Sequence, residues 1–272
     1  MKNPFNGSIA IVTGGASGIG RSLCLGLAER GAVVVVADID AESAGRTAEE
    51  IARAGGTARA VGLDVADENA VFRAVDRVAA EFGRLDFMFN NAGISITGDS
   101  RDISMDQWKR VMGVNLHGVI NGTLAAYGIM ARQGCGHVVN VASMAGYAPF
   151  SINTPYTTAK FAVVGFTESL RAEAEDLGVS ISLVCPGIVR TGFYDSIEVV
   201  RADRVKYNAR LPRNLIGPGA AAGIILRKVA RRKRLILFPA HARVIRWIQK
   251  LAPWIMHRIN VKMVREFRSI RK

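Results

Sequence analysis

Seven short runs of apolar, largely β-branched residues divide the first 240 positions of this chain: "SIAIVT" (8–13), "AVVVVAD" (32–38), "ARAVGLD" (58–64), "DFMFNN" (86–91), "HVVNVAS" (137–143), "SISLVCP" (180–186) and "RLILFPA" (234–240). Several are apolar at odd and even positions alike. A strand with one wet face alternates, so a strand apolar on both parities is covered on both sides. Helical periodicity fills the intervals 18–30, 41–54, 67–82, 104–132, 155–177 and 218–231. Strand–helix alternation with short connections predicts an α/β fold, a doubly wound seven-stranded parallel sheet with right-handed crossovers. No linker, repeat or low-complexity tract interrupts it before about residue 240, so 1–240 reads as a single domain.

The rest of the composition narrows the class. The three cysteines, Cys24, Cys135 and Cys185, lie far apart and form no CxxC or disulfide framework, which suits a reducing compartment. The four histidines show no metal-ligand spacing, so no metal is expected. The start "MKNPFNGSIAIVTGG" runs into the first strand without an apolar leader, and no run of about eighteen apolar residues occurs. A cytoplasmic protein is therefore expected. The net charge of +13 is unevenly placed: residues 227–272 carry fifteen Lys/Arg against Glu266 alone, whereas 1–226 carry twenty-one basic and twenty-two acidic residues.

"TGGASGIG" (13–20) joins the first strand to the first helix. Gly14, Gly18 and Gly20 permit a tight turn and close approach of a phosphate, and the helix N-terminus adds unpaired N–H groups and partial positive charge. Asp38 ends the second strand, eighteen residues past Gly20. A carboxylate there accepts both ribose hydroxyls of an adenosine and repels a 2′-phosphate, and no arginine sits beside it to accommodate one. That favours NAD(H) over NADP(H). A solvated strand-end role is open to Asp40, close by, and much less so to Asp38.

Seven motifs stand in register: TGGASGIG, "LDV" (63–65), "NNAG" (90–93), Asn115 in "MGVNLHG", Ser143, "YTTAK" (156–160) and "PGIVRT" (186–191). Over about residues 5–240 the chain resembles the short-chain dehydrogenase/reductase family, single-domain Rossmann-like oxidoreductases that use NAD(P). The resemblance implies cofactor contacts from Gly14, Ser17, Gly18, Ile19 and Gly20 in the loop. It places Asp38 on the ribose, Asp64 and Val65 at the adenine, Asn91 beside the cofactor, and Val189 and Thr191 at the nicotinamide carboxamide. It implies Tyr156 as acid/base, Ser143 as its partner on the substrate oxygen, Lys160 as a ribose contact, and Asn115 as holder of a water between Lys160 and solvent. A dimer or tetramer built through the middle helices is implied as well.

Tyr156 and Lys160 lie four apart, on one face of a helix. Oxidising an alcohol needs a base at the hydroxyl, and a free tyrosine, with a pKa of ~10, is too weakly acidic to serve near neutrality. The ammonium of Lys160 and a positive nicotinamide are expected to lower it, with Ser143 hydrogen-bonding the developing alkoxide. The reading is hydride transfer between NAD(H) and a hydrophobic secondary alcohol or ketone. An NADP(H)-dependent carbonyl or 3-oxoacyl reductase is the alternative that Asp38 opposes. A non-catalytic dinucleotide sensor or membrane-associated scaffold is the alternative that an intact Tyr156 and Lys160 oppose.

Substrate identity is expected from a lid segment at about 190–218. There Phe193, Tyr194, Ile197 and Val200 face a pocket with Ile96, Ala145, Tyr147 and Ile188, while Arg190, Arg201 and Arg204 are read as solvated. Beyond residue 240 the chain departs from the family pattern. Val244, Trp247, Ile248, Leu251 and Ile255 fall at helical spacing, and after Pro253 a second stripe runs Ile255, Ile259, Met263, Phe267, Ile270, opposed by Arg258, Lys262 and Arg265. Residues 241–272 thus read as a basic amphipathic helical tail. It either lies on an anionic membrane surface, giving peripheral association, or packs on the core, the pocket mouth or a second subunit. No nucleic-acid-reading motif accompanies the charge.

Overall fold

A computed structural model describes residues 3–209 and 215–271; positions 210–214, inside the expected lid, lie outside the described residues. The seven predicted strands are present and pair in parallel, in the order β3-β2-β1-β4-β6-β7-β9. They are β1 (Ile9–Thr13), β2 (Val33–Asp38), β3 (Thr57–Gly62), β4 (Phe87–Asn90), β6 (Gly136–Val141), β7 (Val179–Pro186) and β9 (Leu235–Phe238). A separate parallel pair, β5 (Ile96–Thr97) with β8 (Glu198–Val199), was not predicted; two residues are too few for a period.

Both faces of the sheet are covered, as the double apolar parity requires. In β2, Val34 and Val36 join the layer under α1 (Gly18–Ala28) and α9 (Pro218–Val229), whereas Val35 and Ala37 join the opposite layer. That second layer is closed by α3 (Glu68–Phe82), α5 (Gly118–Gln133) and α6 (Thr154–Ala174). Leu23 and Leu27 of α1 are fully buried, each stabilising the fold by roughly 1.5–3 kcal/mol.

The helix starts follow local chemistry. Asp40 caps α2 (Ala41–Arg53) by accepting from Ser43 N, and Asp67 caps α3 through Ala70 N. Ser104 and Gln107 form a capping box on α4 (Met105–Met112), and proline opens α6, α9 and α11 (Pro253–Arg268). The single helix predicted over 104–132 is divided. Between α4 and α5, residues Gly113–His117 form one wider π-type turn. Such a turn inserts a residue into the helical ladder and re-aims its neighbours, here Asn115.

Strand order reverses between β1 and β4, so the crevice at the carboxyl ends of these strands is the natural ligand site of the sheet. The glycine loop, the "NNAG" turn and the ends of β6 and β7 all open into it. Two short helices, α7 (Phe193–Ser196) and α8 (Arg204–Asn208), flank it.

The tail forms two helices, α10 (Ala240–Leu251) and α11, with Pro253 at the break. The inner face of α11 packs on the domain: Phe267 and Ile270 are buried against Ile152 and Ala202, with Met263 beside them. Asn260 ties the same helix to the segment after β6, accepting from Ser151 N at 2.9 Å and donating to Pro149 O at 2.9 Å. Arg268–Asp99 (2.8 Å) and Arg271–Asp102 (2.7 Å) ion pairs hold its end.

Candidate active site

A cavity of about 1200 Å³ runs along the crevice, lined at one end by the glycine loop and Asp38 and at the other by Ser143, Tyr156 and Phe193. Its volume exceeds the roughly 300–1,000 Å³ of an ordinary small-molecule pocket, leaving room for a dinucleotide and a second ligand side by side.

At the dinucleotide end the glycines are required by contact. A Cβ on Gly20 would lie 1.9 Å from Gly14 O, and one on Gly14, whose φ is +65°, would lie 2.9 Å from Ala92 Cα. Ser17 is the N-cap of α1, its side chain makes no capping bond, and Ser17, Gly18 and Ile19 line the cavity. The first N–H groups of α1 have no intrahelical acceptor, which fits a pyrophosphate. Thr191 closes the loop from the far side, 3.4 Å from the Cβ position of Gly18.

Asp38 lines the cavity, followed by Ile39, and its carboxylate also accepts from Ala16 N (3.0 Å) and Asp40 N (3.1 Å). It therefore braces the glycine loop as well as facing the crevice. Asp40 turns away to cap α2, and Ser43 holds its carboxyl below the usual range. Asp64, Val65, Asn91 and Val189 also border the cavity. Asn91 nevertheless aims its amide nitrogen at Thr13 O (3.0 Å) and Gly14 O (3.4 Å), so it fastens the ends of β1 and β4 together. Its neighbour Asn90 heads a buried network that sequence reasoning missed. Its Nδ2 donates to Thr123 Oγ1 (3.0 Å) and Asn140 Oδ1 (2.8 Å), and Asn140 donates to Thr167 Oγ1 (3.1 Å). Four polar side chains dispersed over four elements leave no local signal.

Ser143, Tyr156, Lys160 and Asn115 come together at the other end. Ser143 follows β6 and stands at the start of a single 3₁₀ turn, Met144–Gly146. Tyr156 and Lys160 sit one turn apart on α6, with Lys160 Nζ 5.6 Å from the phenol ring centre. Lys160 is buried and donates to Val141 O at 3.0 Å. Asn115, in the wider turn, is locked by the backbone of Ile94: its Nδ2 donates to the carbonyl and its Oδ1 accepts from the N–H, both at 2.8 Å. A Cβ on Gly93 would lie 3.2 Å from Asn115 Oδ1 and 3.7 Å from Lys160 Nζ, so that glycine lets the two side chains approach the cavity.

The electrostatics correct one expectation. Tyr156 is not lowered in the protein alone. Burial raises its phenol above the usual range, and a hydrogen bond with Ser143 offsets part of that rise. The same burial acts on Lys160, pulling its ammonium down to about 8, so that it remains mostly charged near neutrality beside the phenol.

The substrate wall is partly the predicted one. Phe193, Tyr194, Ile197, Ala145 and Ile188 line the cavity. Ile96, Val200 and Tyr147 do not. Ile96 and Val200 belong to a packed cluster behind Tyr156, and Tyr147 is covered by the Arg246 guanidinium, 4.4 Å above its ring. Phe150, Ile152 and Tyr207 line it instead, with Met263 and Phe267 from α11 forming a roof. Of the three lid arginines, Arg190 and Arg204 are exposed, while Arg201 stays largely exposed beside Asp102.

Residues 8–199 match the short chain dehydrogenase family. The chain belongs to that family. The short-chain dehydrogenases are oxidoreductases that bind NAD(P), and the motif register and the crevice geometry agree with that membership. Among curated relatives, "Probable oxidoreductase EphD" of Mycobacterium tuberculosis is 37% identical over 259 residues, covering 92% of this chain and 44% of that protein. The chain thus spans under half the length of that relative. Cyclohexanol dehydrogenase of an Acinetobacter species is 36% identical over 207 residues, 76% of this chain and 82% of that one. Of solved structures, a short-chain dehydrogenase/reductase from Burkholderia phymatum in complex with NAD superposes with a TM-score of 0.83 at 30% identity, covering 90% and 94% of the two chains. A metagenomic short-chain oxidoreductase in complex with NADP gives 0.73 at 27%, covering 86% and 98%. The two complexes differ in cofactor, so the family alone leaves NAD against NADP open.

Proposed function

We propose that this chain oxidises a hydrophobic secondary alcohol with NAD+, or reduces the matching ketone with NADH. The observation that carries the reading is the convergence of Ser143, Tyr156 and Lys160 at the apolar end of a cavity whose other end is Asp38. The NAD complex of one structural neighbour and the cyclohexanol activity named for one relative support it. When bound, the dinucleotide supplies the hydride acceptor.

The residues divide the remaining work. The phenolate of Tyr156 takes the proton of the substrate hydroxyl as the carbon loses hydride, and the phenol returns it in reduction; the charges of Lys160 and of a bound NAD+ would draw the phenol down enough to ionise it. Ser143, which lines the same end of the cavity as the phenol, holds the substrate oxygen. Lys160, anchored on Val141 O, presents positive charge beneath the ring and a donor toward a ribose. Asn115 keeps the turn around Gly93 open beside it, where a water linking Lys160 to solvent fits the family pattern. Asp38 selects NAD(H): its carboxylate accepts ribose hydroxyls and repels a 2′-phosphate, and Ile39 offers no countercharge. The apolar walls exclude water from the reacting atoms.

The test is NADH formation from a graded series of secondary alcohols, from short aliphatic to alicyclic, aromatic and long-chain. Turnover should rise with apolar size. Tyr156→Phe should lose roughly 10²–10⁴-fold in rate while retaining NADH binding. A Tyr156→Phe protein with near wild-type rate would refute the assignment. Exposed Leu124 on α5 and Phe161 on α6 support a homodimer or tetramer across those helices; a monomer in sedimentation velocity would remove that part.

A further inference from the structure

The outer face of the α10–α11 hairpin plays no part in the cavity. On α10, Val244, Trp247 and Leu251 are exposed, with Arg243 and Lys250 adjoining them on the same side. On α11, Trp254, Ile255 and Ile259 are exposed and flank Arg258, Lys262 and Arg265. Half of the exposed large apolar side chains among the described residues fall in this one stretch. Single exposed apolar residues are ordinary; a concentration of them marks an interaction surface.

The charge is arranged differently on the two sides of the hairpin. Cations on the inner side are paired, Arg268 with Asp99 and Arg271 with Asp102. On the outer side, Lys262 pairs with Glu266 at 3.8 Å, while Arg243, Lys250, Arg258 and Arg265 form no ion pair among the described residues. Beside α10 lies a cleft of about 410 Å³ with Arg227, Lys228, Arg231 and Arg243 around an apolar floor of Ile224 and Phe238, and no carboxylate among the described residues lines it. Partial burial, with Arg243 and Lys233 close by, lowers the Lys228 ammonium, the sign of cations crowded without a counter-anion.

We propose that this face docks on an anionic lipid bilayer, with a phosphate headgroup in the basic cleft and the exposed tryptophans and aliphatic side chains at the headgroup–acyl boundary. Basic amphipathic helices with tryptophan bind interfaces by this combination of apolar area and charge. None of the helices among the described residues is long and apolar enough to cross a membrane. A second copy fits the face poorly, because a two-fold contact would set two like-charged surfaces against each other. Nucleic acid fits poorly too, since the exposed aliphatic residues find no partner along a phosphate backbone. The inference does not depend on the reaction proposed above.

The experiment is flotation of the full chain with vesicles of phosphatidylcholine alone and of phosphatidylcholine doped with phosphatidylglycerol. Two variants run beside it: Trp247→Glu with Leu251→Glu, and Arg227→Gln with Arg231→Gln and Arg243→Gln. Thermal melts check that both remain folded. Wild type should float with the anionic vesicles and not with the neutral ones. Each cation near an anionic surface contributes roughly fivefold to partitioning, so the triple variant should bind about a hundredfold more weakly. The acidic double variant should lose binding. No flotation, equal flotation with both vesicles, or folded variants that bind as wild type does would overturn the proposal. So would a double variant that lowers the oligomeric state of a protein that ignores vesicles. Binding to mixed-sequence nucleic acid in place of vesicles would overturn it equally.

Discussion

Lys160→Met should make the protein more stable and less active. Burial draws the folded ammonium from 10.5 to about 8. Each unit is worth about 1.4 kcal/mol, so keeping this lysine charged near neutrality costs about 3 kcal/mol. Methionine has similar length and no charge. It forfeits the hydrogen bond to Val141 O, worth about 2 kcal/mol because the donor is charged. The net expectation is a gain of about 1 kcal/mol in the protein without cofactor, with weaker NADH binding and a large loss of turnover. The pH dependence has a definite sign. Between about pH 8 and 10.5 the unfolded chain holds a proton on this lysine that the folded chain has released, so wild-type stability rises with pH through that window. The penalty is complete below the window and gone above it. Urea denaturation of both proteins, at neutral pH and at about pH 10, measures the gap and isolates this one group. A variant less stable than wild type at neutral pH, or a gap that does not shrink with rising pH, would refute the reasoning.

Three further outcomes follow from the geometry. Gly122→Ala places a Cβ 2.0 Å from Asn90 Oδ1 and 2.7 Å from Met88 Cε; denaturation should show a loss of about 3 kcal/mol, whereas Gly128→Ala on the same helix, with only Arg132 within reach at 3.8 Å, should be neutral or slightly stabilising. Asp38→Asn keeps an acceptor for Ala16 N and removes the charge, so the kcat/KM preference for NAD over NADP should narrow by roughly tenfold; an unchanged preference would show that another group reads the ribose. Met263→Trp fills the roof of the cavity and should lower kcat/KM for bulky alcohols by roughly tenfold or more while sparing short ones, read in steady-state kinetics across the series.

Much of this was legible in the chain, and the exceptions share a cause. The seven strands were legible because each must be apolar on both faces, a demand that few other segments meet. Tyr156 and Lys160 were legible because helical spacing alone puts them on one face, and Gly14, Gly18 and Gly20 because a strand and a helix bracket them. Asn140 and Thr167 were not, because a polar residue in an apolar run carries no mark of the partner that satisfies it. The wider turn at Gly113–His117 was hidden inside an unbroken helical pattern. The stripes of the tail showed two amphipathic helices but not what covers them: Phe267 and Ile270 went inward and Ile255 and Ile259 stayed outside, from one and the same periodic row. The Tyr156 phenol misled for a related reason, since proximity to Lys160 could be read from spacing and the shared burial could not.

The roof over the cavity has a consequence for inheritance. The family match ends at residue 199, whereas Met263 and Phe267 come from Pro253–Arg268. The residues proposed to move the proton and hold the dinucleotide lie in the stretch that matches the family model, and part of the wall proposed to judge the substrate lies outside it. Two members of the family can therefore keep the same reaction while exchanging the helix that decides what enters. On the function proposed above, a relative's name would guide to the class of reaction better than to the molecule that undergoes it. Swapping residues 240–271 between relatives is the direct way to move one property without the other.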